Sequence, residues 1–286
     1  MKDIKGLIDC HTHTRFSVDS EADEIKMTER AIELGLKAHA VTDHCEVNRW
    51  FPKEHYGDTK IYPYFDFGSD YKRSVARITE LKERYRGRIE LICGVELGQA
   101  QQHTDIAEEV VCDGRVDFII GSLHQLPDME DFAFIDFAAL GESEIYSLLE
   151  MYFTEIYKLC KWGGFDVLGH LTYPVRYING KYRCGVDISR YDDIIAESFR
   201  ELVAKDKGIE INTSGLRQEE LRETFPTLKY VRLFRDLGGK LISLGSDAHE
   251  VEQIGTGIAQ GAQVAREAGF DRVAYFIKHK PQFAEL

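Results

Sequence analysis

The chain has 286 residues, of which 43% are hydrophobic, 30% charged and 11% aromatic; that balance excludes disorder as the main state. Lys and Arg total 36 against 49 Asp and Glu, a formal charge of −13, which argues against nucleic acid or anionic lipid as a partner because both are gripped by clustered cations. No run of 18 apolar residues is present to cross a membrane, and the opening MKDIKGLIDCHTH turns polar too early for a secretory signal.

Taken in chain order, a short apolar run at 7–9 reads as a strand and 24–34 as an amphipathic helix stopped by Gly35. A strand at 38–42 is followed by an aromatic-rich interruption, 46–69. A helix at 71–85, stopped by Gly87, then leads into a strand at 89–94. The next strand, 118–122, opens a second aromatic-rich interruption at 126–142. Then come a helix at 144–161 ended by Gly163, a strand at 167–169 and a helix at 189–207 ended by Gly208. A strand at 209–212, a helix at 228–237 before Gly238, a strand at 241–245 and a helix at 259–268 before Gly269 complete the pattern. The strands are continuously apolar, as parallel strands covered on both faces must be. Alternation of strand and helix predicts an α/β fold with a parallel sheet. Seven strands suit a barrel one unit short of eight or an open doubly wound sheet. No linker or repeat divides the chain, so residues 1–286 are expected to form a single domain, with the two interruptions folding over a site. The six cysteines, at 10, 45, 93, 112, 160 and 184, include no Cys-x-x-Cys pair; reduced thiols and a cytoplasmic location are expected.

The ionisable residues fall at one end of these strands. Asp9, His11 and His13 follow the first, in Asp-Cys-His-Thr-His. Asp43 and His44 follow the second, Glu96 the third, His124 the fourth and His170 the fifth. Asp247 and His249 follow the seventh, in Gly-Ser-Asp-Ala-His. In parallel α/β folds the carboxyl ends of the strands converge on the active site. A lone histidine there is usually a structural residue, and an Asp after a strand is often a helix cap. Six of ten histidines at equivalent positions are a different matter, because packing needs imidazole at none of them. His-x-His on an extended segment also aims both rings to one side, as a chelate requires. The predicted site is therefore a metal centre. Six imidazoles with Glu96, Asp247 and Asp19 make nine side chains. At three or four protein ligands per catalytic ion these divide among two or three divalent ions, with Glu96 the natural bridge. Nitrogen and oxygen ligands suit Zn, Mn or Fe alike.

The ordered motifs Asp-x-His-x-His, Thr-Asp-His, Gly-x-Glu, Gly-Ser-x-His, Gly-His and Gly-Ser-Asp-Ala-His resemble the polymerase-and-histidinol-phosphatase (PHP) superfamily. Within it, His-Thr-x-Phe-Ser-x-Asp at 13–19, Gly-His-Leu at 169–171 and Asn-Thr-Ser-Gly-Leu-Arg at 212–217 are similar to the histidinol-phosphate phosphatase branch. The resemblance implies a distorted, TIM-barrel-like (β/α)7 fold with a trinuclear site at the C-terminal ends of parallel strands. It gives His11, His13, Glu96 and Asp247 to one ion and lets Glu96 bridge to a second held by His124 and His170. His44, His249 and Asp19 go to a third; Ser17 and Asp19 have the alternative of capping the following helix. Asp9 and Asp43 are expected to orient imidazole N–H groups.

The implied reaction is hydrolysis of L-histidinol phosphate to L-histidinol and phosphate in histidine biosynthesis, by metal-activated hydroxide attacking phosphorus. Bridged metals would supply the nucleophile and clamp the phosphoryl oxygens. Arg176, Arg217 and Arg15 are candidate phosphate-binding guanidiniums, each with a surface ion pair as its bland alternative. Asp247, then His249, is the candidate general acid. Other readings are a PHP phosphoesterase acting on nucleotides or another small phosphate ester, a DNA exonuclease module, and a non-enzymatic metal-binding protein.

Overall fold

The computed structural model describes residues 4–56 and 66–286. Its centre is a ring of short parallel strands: β1 (Ile8–Asp9), β2 (Ala38–Val41), β4 (Glu90–Gly98), β5 (Phe118–Ser122), β6 (Val167–Leu168), β7 (Gly208–Asn212) and β8 (Ile242–Gly245), paired in that order. A further strand, β3 (His44–Glu46), continues β2 after a break at Thr42–Asp43 and pairs with β4 in the register His44↔Glu96. β1 and β8 nearly close the ring through Cys10 N to Leu244 O at 2.8 Å. Just beyond the strand ends, Thr12 bridges Ala248 in parallel. The expected seven-strand barrel is thus the observed one.

Every barrel residue except Glu90 and His44 is buried, which accounts for the continuously apolar strand sequences. Outside lie α1 (Glu24–Glu33), α2 (Lys53–Tyr56), α3 (Phe67–Tyr85), α4 (Thr104–Val111), α5 (Glu142–Trp162), α6 (Asp192–Ala204), α7 (Leu228–Asp236) and α8 (Ile258–Glu267). In α3 the buried set Tyr71, Val75, Ile78, Leu81 and Tyr85 follows the helical period and presses on the barrel. Asp23 caps α1 by accepting from Ile25 N and Lys26 N. Gly163 ends α5 in the left-handed conformation, φ 68°.

Five features depart from the sequence expectation. The third strand runs on to Gly98, so Glu96 lies inside a strand rather than after it. β3, α2 and α4 are additional. The C-terminal residues form an antiparallel hairpin, β9 (Arg272–Ile277) and β10 (Lys280–Glu285). Its turn residues Lys278 and His279 both have positive φ, 51° and 60°, conformations usually signalled by Asn-Gly and so invisible here. Of the interruption 46–69, residues 57–65 lie outside the described residues. The interruption 126–142 contributes Asp131, Ala133 and Phe134 to the wall of a pocket at the carboxyl ends of the strands, and its own Phe132 and Phe137 are buried. Among the described residues no helix is long and apolar enough to cross a membrane.

Candidate metal centre

Strand alternation builds the site. Beyond β1 the chain stays extended beside Ala248, so His11 and His13 face inward while Thr12 turns away to Ala40 O and His39. In β3, His44 and Glu46 face inward and Cys45 points into the core. His124 and His170 each stand two residues past a strand, and Asp247 two past β8. Asp247 adopts φ 55°, held by its N–H donating to His11 O at 2.8 Å.

All nine predicted ligands converge. Glu96 Oε1 lies 3.1 Å from His124 Nε2 and 2.7 Å from His170 Nε2. Its Oε2 lies 3.4 Å from His11 Nε2, 3.6 Å from His13 Nε2 and 2.8 Å from His44 Nδ1. Asp247 Oδ1 is 3.4 Å from His13 Nε2 and 3.9 Å from His11 Nε2. At the outer edge, Asp19 Oδ2 is 3.5 Å from His44 Nε2 and 3.1 Å from His249 Nε2. Donors ~2.1 Å from a shared tetrahedral cation stand about 3.4 Å apart. Four triads place one ligand atom each within 4.8 Å of the others: His13–His44–His249, His11–Glu96–His170, His11–His13–Asp247 and His44–Glu46–His124. His11 Nε2, His13 Nε2, His44 Nδ1 and Glu96 Oε2 are buried without a hydrogen-bond partner. Such atoms are costly unless something coordinates them, so the donor set fits divalent cations.

Charge is balanced pairwise. Burial opposes ionisation of Glu96, but His124, His11 and His44 outweigh it and hold the carboxyl well below its ordinary range. Burial likewise opposes Asp247, and Arg176 and His11 overcome it. For His11, His44 and His124 the same competition, burial against neighbouring carboxylates, ends well above the usual imidazole value. His13, buried beside His249 and His44, is pushed down to about 3.

The groups that orient the rings differ from expectation. Asp9 accepts from Ser246 N and Gly255 N, both at 2.8 Å, and no imidazole donates to it. Asp43 accepts from Thr14 N at 2.6 Å, Ser17 Oγ at 2.8 Å and Ser74 Oγ at 2.6 Å. It reaches a ring only at one remove, because Ser17 Oγ lies 3.1 Å from His13 Nδ1. Both aspartates fix loops that carry ligands, since their neighbours' N–H and O–H donors are nearer than any ring. The carboxylates that take imidazole N–H groups are Glu210, 2.7 Å from His11 Nδ1, and Glu46, 2.8 Å from His124 Nδ1. An acidic residue between two isoleucines of a buried strand was the available signal for Glu210; Glu46 alternates with His44.

Of the three arginines, only Arg176 lines the pocket. Its Nη2 donates to Asp247 Oδ2 at 2.7 Å and to Ser214 Oγ. Arg217 is outside the pocket lining and donates to Ser246 O at 2.6 Å and Asp247 O at 2.9 Å, so it holds the turn that carries Asp247. Arg15 is directed outward to Glu24 at 2.9 Å and is half exposed; a helix carboxylate, not the site, captures it. The general-acid candidates both line the pocket, a cavity of about 230 Å³ whose wall also includes Glu46, Gln125, Asp131, Tyr173, Tyr177 and Phe134. Asp131, half-buried, accepts from Tyr173 OH at 2.8 Å and Ala133 N at 2.7 Å. No motif marked these wall residues in the sequence.

The chain is 26% identical over 270 residues to the histidinol-phosphatase of Lactococcus lactis subsp. lactis (strain IL1403), covering 94% of each. It is 25% identical over 283 residues to a protein of Clostridium acetobutylicum named "Probable histidinol-phosphatase", covering 97% of this chain and 100% of that one. The crystal structure of histidinol phosphate phosphatase from Lactococcus lactis, complexed with Zn, L-histidinol and phosphate, superposes with a TM-score of 0.79 at 25% identity, covering 97% of this chain and 99% of that one. The likeness therefore spans the whole barrel, the carboxyl-end rim included. The PHP domain model itself matches residues 9–214, from the first imidazole pair to the loop after β7, and on that match the chain belongs to the PHP domain family.

Proposed function

We propose that this chain is a metal-dependent phosphate monoester hydrolase that converts L-histidinol phosphate and water to L-histidinol and phosphate. One observation carries the reading: seven of the nine candidate ligands line one pocket with the Arg176 guanidinium, and His11 and His13 meet them from beneath at 3.4 and 3.6 Å from Glu96 Oε2, in a chain similar along its length to a phosphatase crystallised with Zn, L-histidinol and phosphate. We assign His11, His13, Glu96 and Asp247 to one ion, Glu96, His124 and His170 to a second, and His44, His249 and Asp19 to a third, with zinc, manganese or iron as occupants. The six cysteines are all free, in keeping with a cytoplasmic setting.

Divalent ions, when bound there, supply Lewis acidity that neutralises phosphoryl oxygens and lowers the pKa of water. The chain's own groups do the rest. Arg176 presents a half-buried guanidinium to the phosphoryl oxygens beside Asp247. Asp247 and His249 both line the pocket, and to this pair we assign the transfer of the attacking water's proton to the leaving histidinol oxygen as the P–O ester bond breaks. The wall carboxylates Asp131 and Glu46 suit the cationic amine and imidazole of that leaving group, and the tyrosine rings beside them exclude water.

The test is kcat/KM for L-histidinol phosphate against a panel of nucleoside monophosphates, sugar phosphates and single-stranded DNA, with bound metal quantified in the same preparation. The expected result is preference for L-histidinol phosphate by protein carrying two or three ions. Equal or better turnover of nucleotides would reassign the substrate. Full activity with substoichiometric metal would overturn the metallohydrolase reading.

A further inference from the structure

β7 is the barrel strand that brings no ligand to the rim, yet it carries a carboxylate in its middle. Glu210 is 1% exposed and lies between Ile209 and Ile211, both fully buried. Its Oε1 accepts from His11 Nδ1 at 2.7 Å. Its Oε2 accepts from His170 N at 2.9 Å and from Asn212 Nδ2 at 3.4 Å, and that amide also reaches Asp247 Oδ2 at 3.3 Å. Space for it is made on the neighbouring strand: a Cβ on Gly245 would stand 2.3 Å from Glu210 Oε1 and 2.4 Å from His11 Cβ.

A charge buried at this depth is costly, and an aliphatic side chain would fill the barrel without that cost. What the carboxylate secures is a proton location. With Nδ1–H donated to Glu210, the nitrogen left to face a cation is Nε2, the buried atom without a partner that points at Glu96 and Asp247. The second oxygen pins the backbone of His170, a residue of the adjacent triad. We propose that Glu210 is a positioning residue of the metal centre: it fixes the tautomer and ring plane of His11, ties that ring to the segment bearing His170, and so sets the affinity for the ion that His11 holds. The inference rests on the ligand assignment above. It adds a role for the one barrel strand without a ligand.

The experiment compares wild type, Glu210→Gln and Glu210→Asp, each shown to be folded by circular dichroism, in competition between protein and a chelator for Zn²⁺. Glu210→Gln keeps the size but leaves one oxygen where two now accept from three donors. It is expected to release one equivalent of Zn²⁺ with affinity weakened about 10–100-fold, and excess Zn²⁺ is expected to restore its activity. Glu210→Asp keeps the charge but withdraws it by one methylene, and is expected to show a smaller loss in the same direction. If Glu210→Gln fails to fold, Glu210→Asp decides. Wild-type Zn²⁺ affinity in the folded variants would overturn the positioning role. Absence of Zn²⁺ binding by wild type would overturn the metal centre itself, a separate failure.

Discussion

Arg176 is held by Asp247 and Ser214 and sandwiched near Tyr173 and Phe225, its guanidinium carbon 5.5 and 5.4 Å from those ring centres. A planar cation fixed this way is preorganised for charge that develops on phosphoryl oxygen. Arg176→Ala is therefore expected to lower kcat/KM about 10²–10³-fold, the usual loss for one preorganised donor, and to weaken inhibition by inorganic phosphate while bound metal stays constant. Steady-state kinetics with metal analysis checks both, and unchanged phosphate inhibition would remove Arg176 from the phosphate site. His39, fully buried in β2, is a different kind of histidine. Its Nε2 lies 3.0 Å from Thr12 Oγ1, whose own proton goes to Ala40 O, and its Nδ1 has no partner. A proton added to Nδ1 would meet no acceptor, and burial alone pushes the ring down to about 4 from 6.5. The unfolded chain takes up this proton as pH falls through 6.5 while the fold refuses it until about 4. Stability is thus unaffected at neutral pH and falls by about 3 kcal/mol across that window. In denaturant titrations with chelator present, His39→Gln should show a shallower acid limb than wild type; equal slopes would refute the assignment. The contrast shows what the chain's residues disclose unaided. Histidines at strand ends are legible as candidate ligands because position and residue type agree. Glu210, Glu46 and the wall residue Asp131 are not, because each meets its partner 42 to 199 residues away.

At the level of elements, the parallel strands and most helices were legible because one period governs each: unbroken apolar runs for the barrel, 3.6-residue spacing and a terminal glycine for helices such as α5. The C-terminal hairpin was not, because its turn lacks glycine and asparagine and its purpose is tertiary. β9 crosses the end of the barrel opposite the metal centre. Phe276 stacks on Phe118, the first residue of β5, with centroids 5.3 Å apart and planes at 11°. His279 Nδ1 meets Asp166 at 2.9 Å, and Lys278 Nζ meets Asp117 at 3.4 Å. The hairpin is a floor under the barrel, as remote from the chemistry as the fold allows. Phe276→Ala should therefore cost about 3–5 kcal/mol of stability through the cavity it leaves, while kcat/KM and metal content at 25 °C remain those of wild type. Thermal unfolding and kinetics on one preparation test this, and a loss of activity in fully folded protein would show that the floor and the rim communicate.

For the molecule as a whole, the charge arithmetic and the chemistry pull in opposite directions. A chain of formal charge −13 is proposed to bind a phosphate ester, and its pocket carries Asp19, Glu46, Glu96, Asp131 and Asp247 against Arg176 and Arg49. Divalent cations reverse that local sign, so chelation should abolish phosphate binding as well as turnover. It should also expose a proton exchange. His11, His44 and His124 are raised well above the imidazole range because Glu210, Asp19, Glu96 and Glu46 outweigh the effect of burial. The chelated rings therefore favour the protonated form more strongly than a free imidazole does, and a cation must displace those protons to coordinate. Zinc binding measured by calorimetry in two buffers of different ionisation enthalpy should release protons, and the apparent affinity should weaken as pH falls from 8 to 6. The same ions bind the fold and not the unfolded chain, so each contributes about 2.7 kcal/mol at a free concentration 100 times its dissociation constant. For a chain of this size that corresponds to roughly 4–5 °C of melting temperature per ion. A melting temperature indifferent to zinc, together with zero proton release, would mean that the imidazoles pair only with their carboxylates and that the cluster is a buried ion-pair network rather than a metal centre.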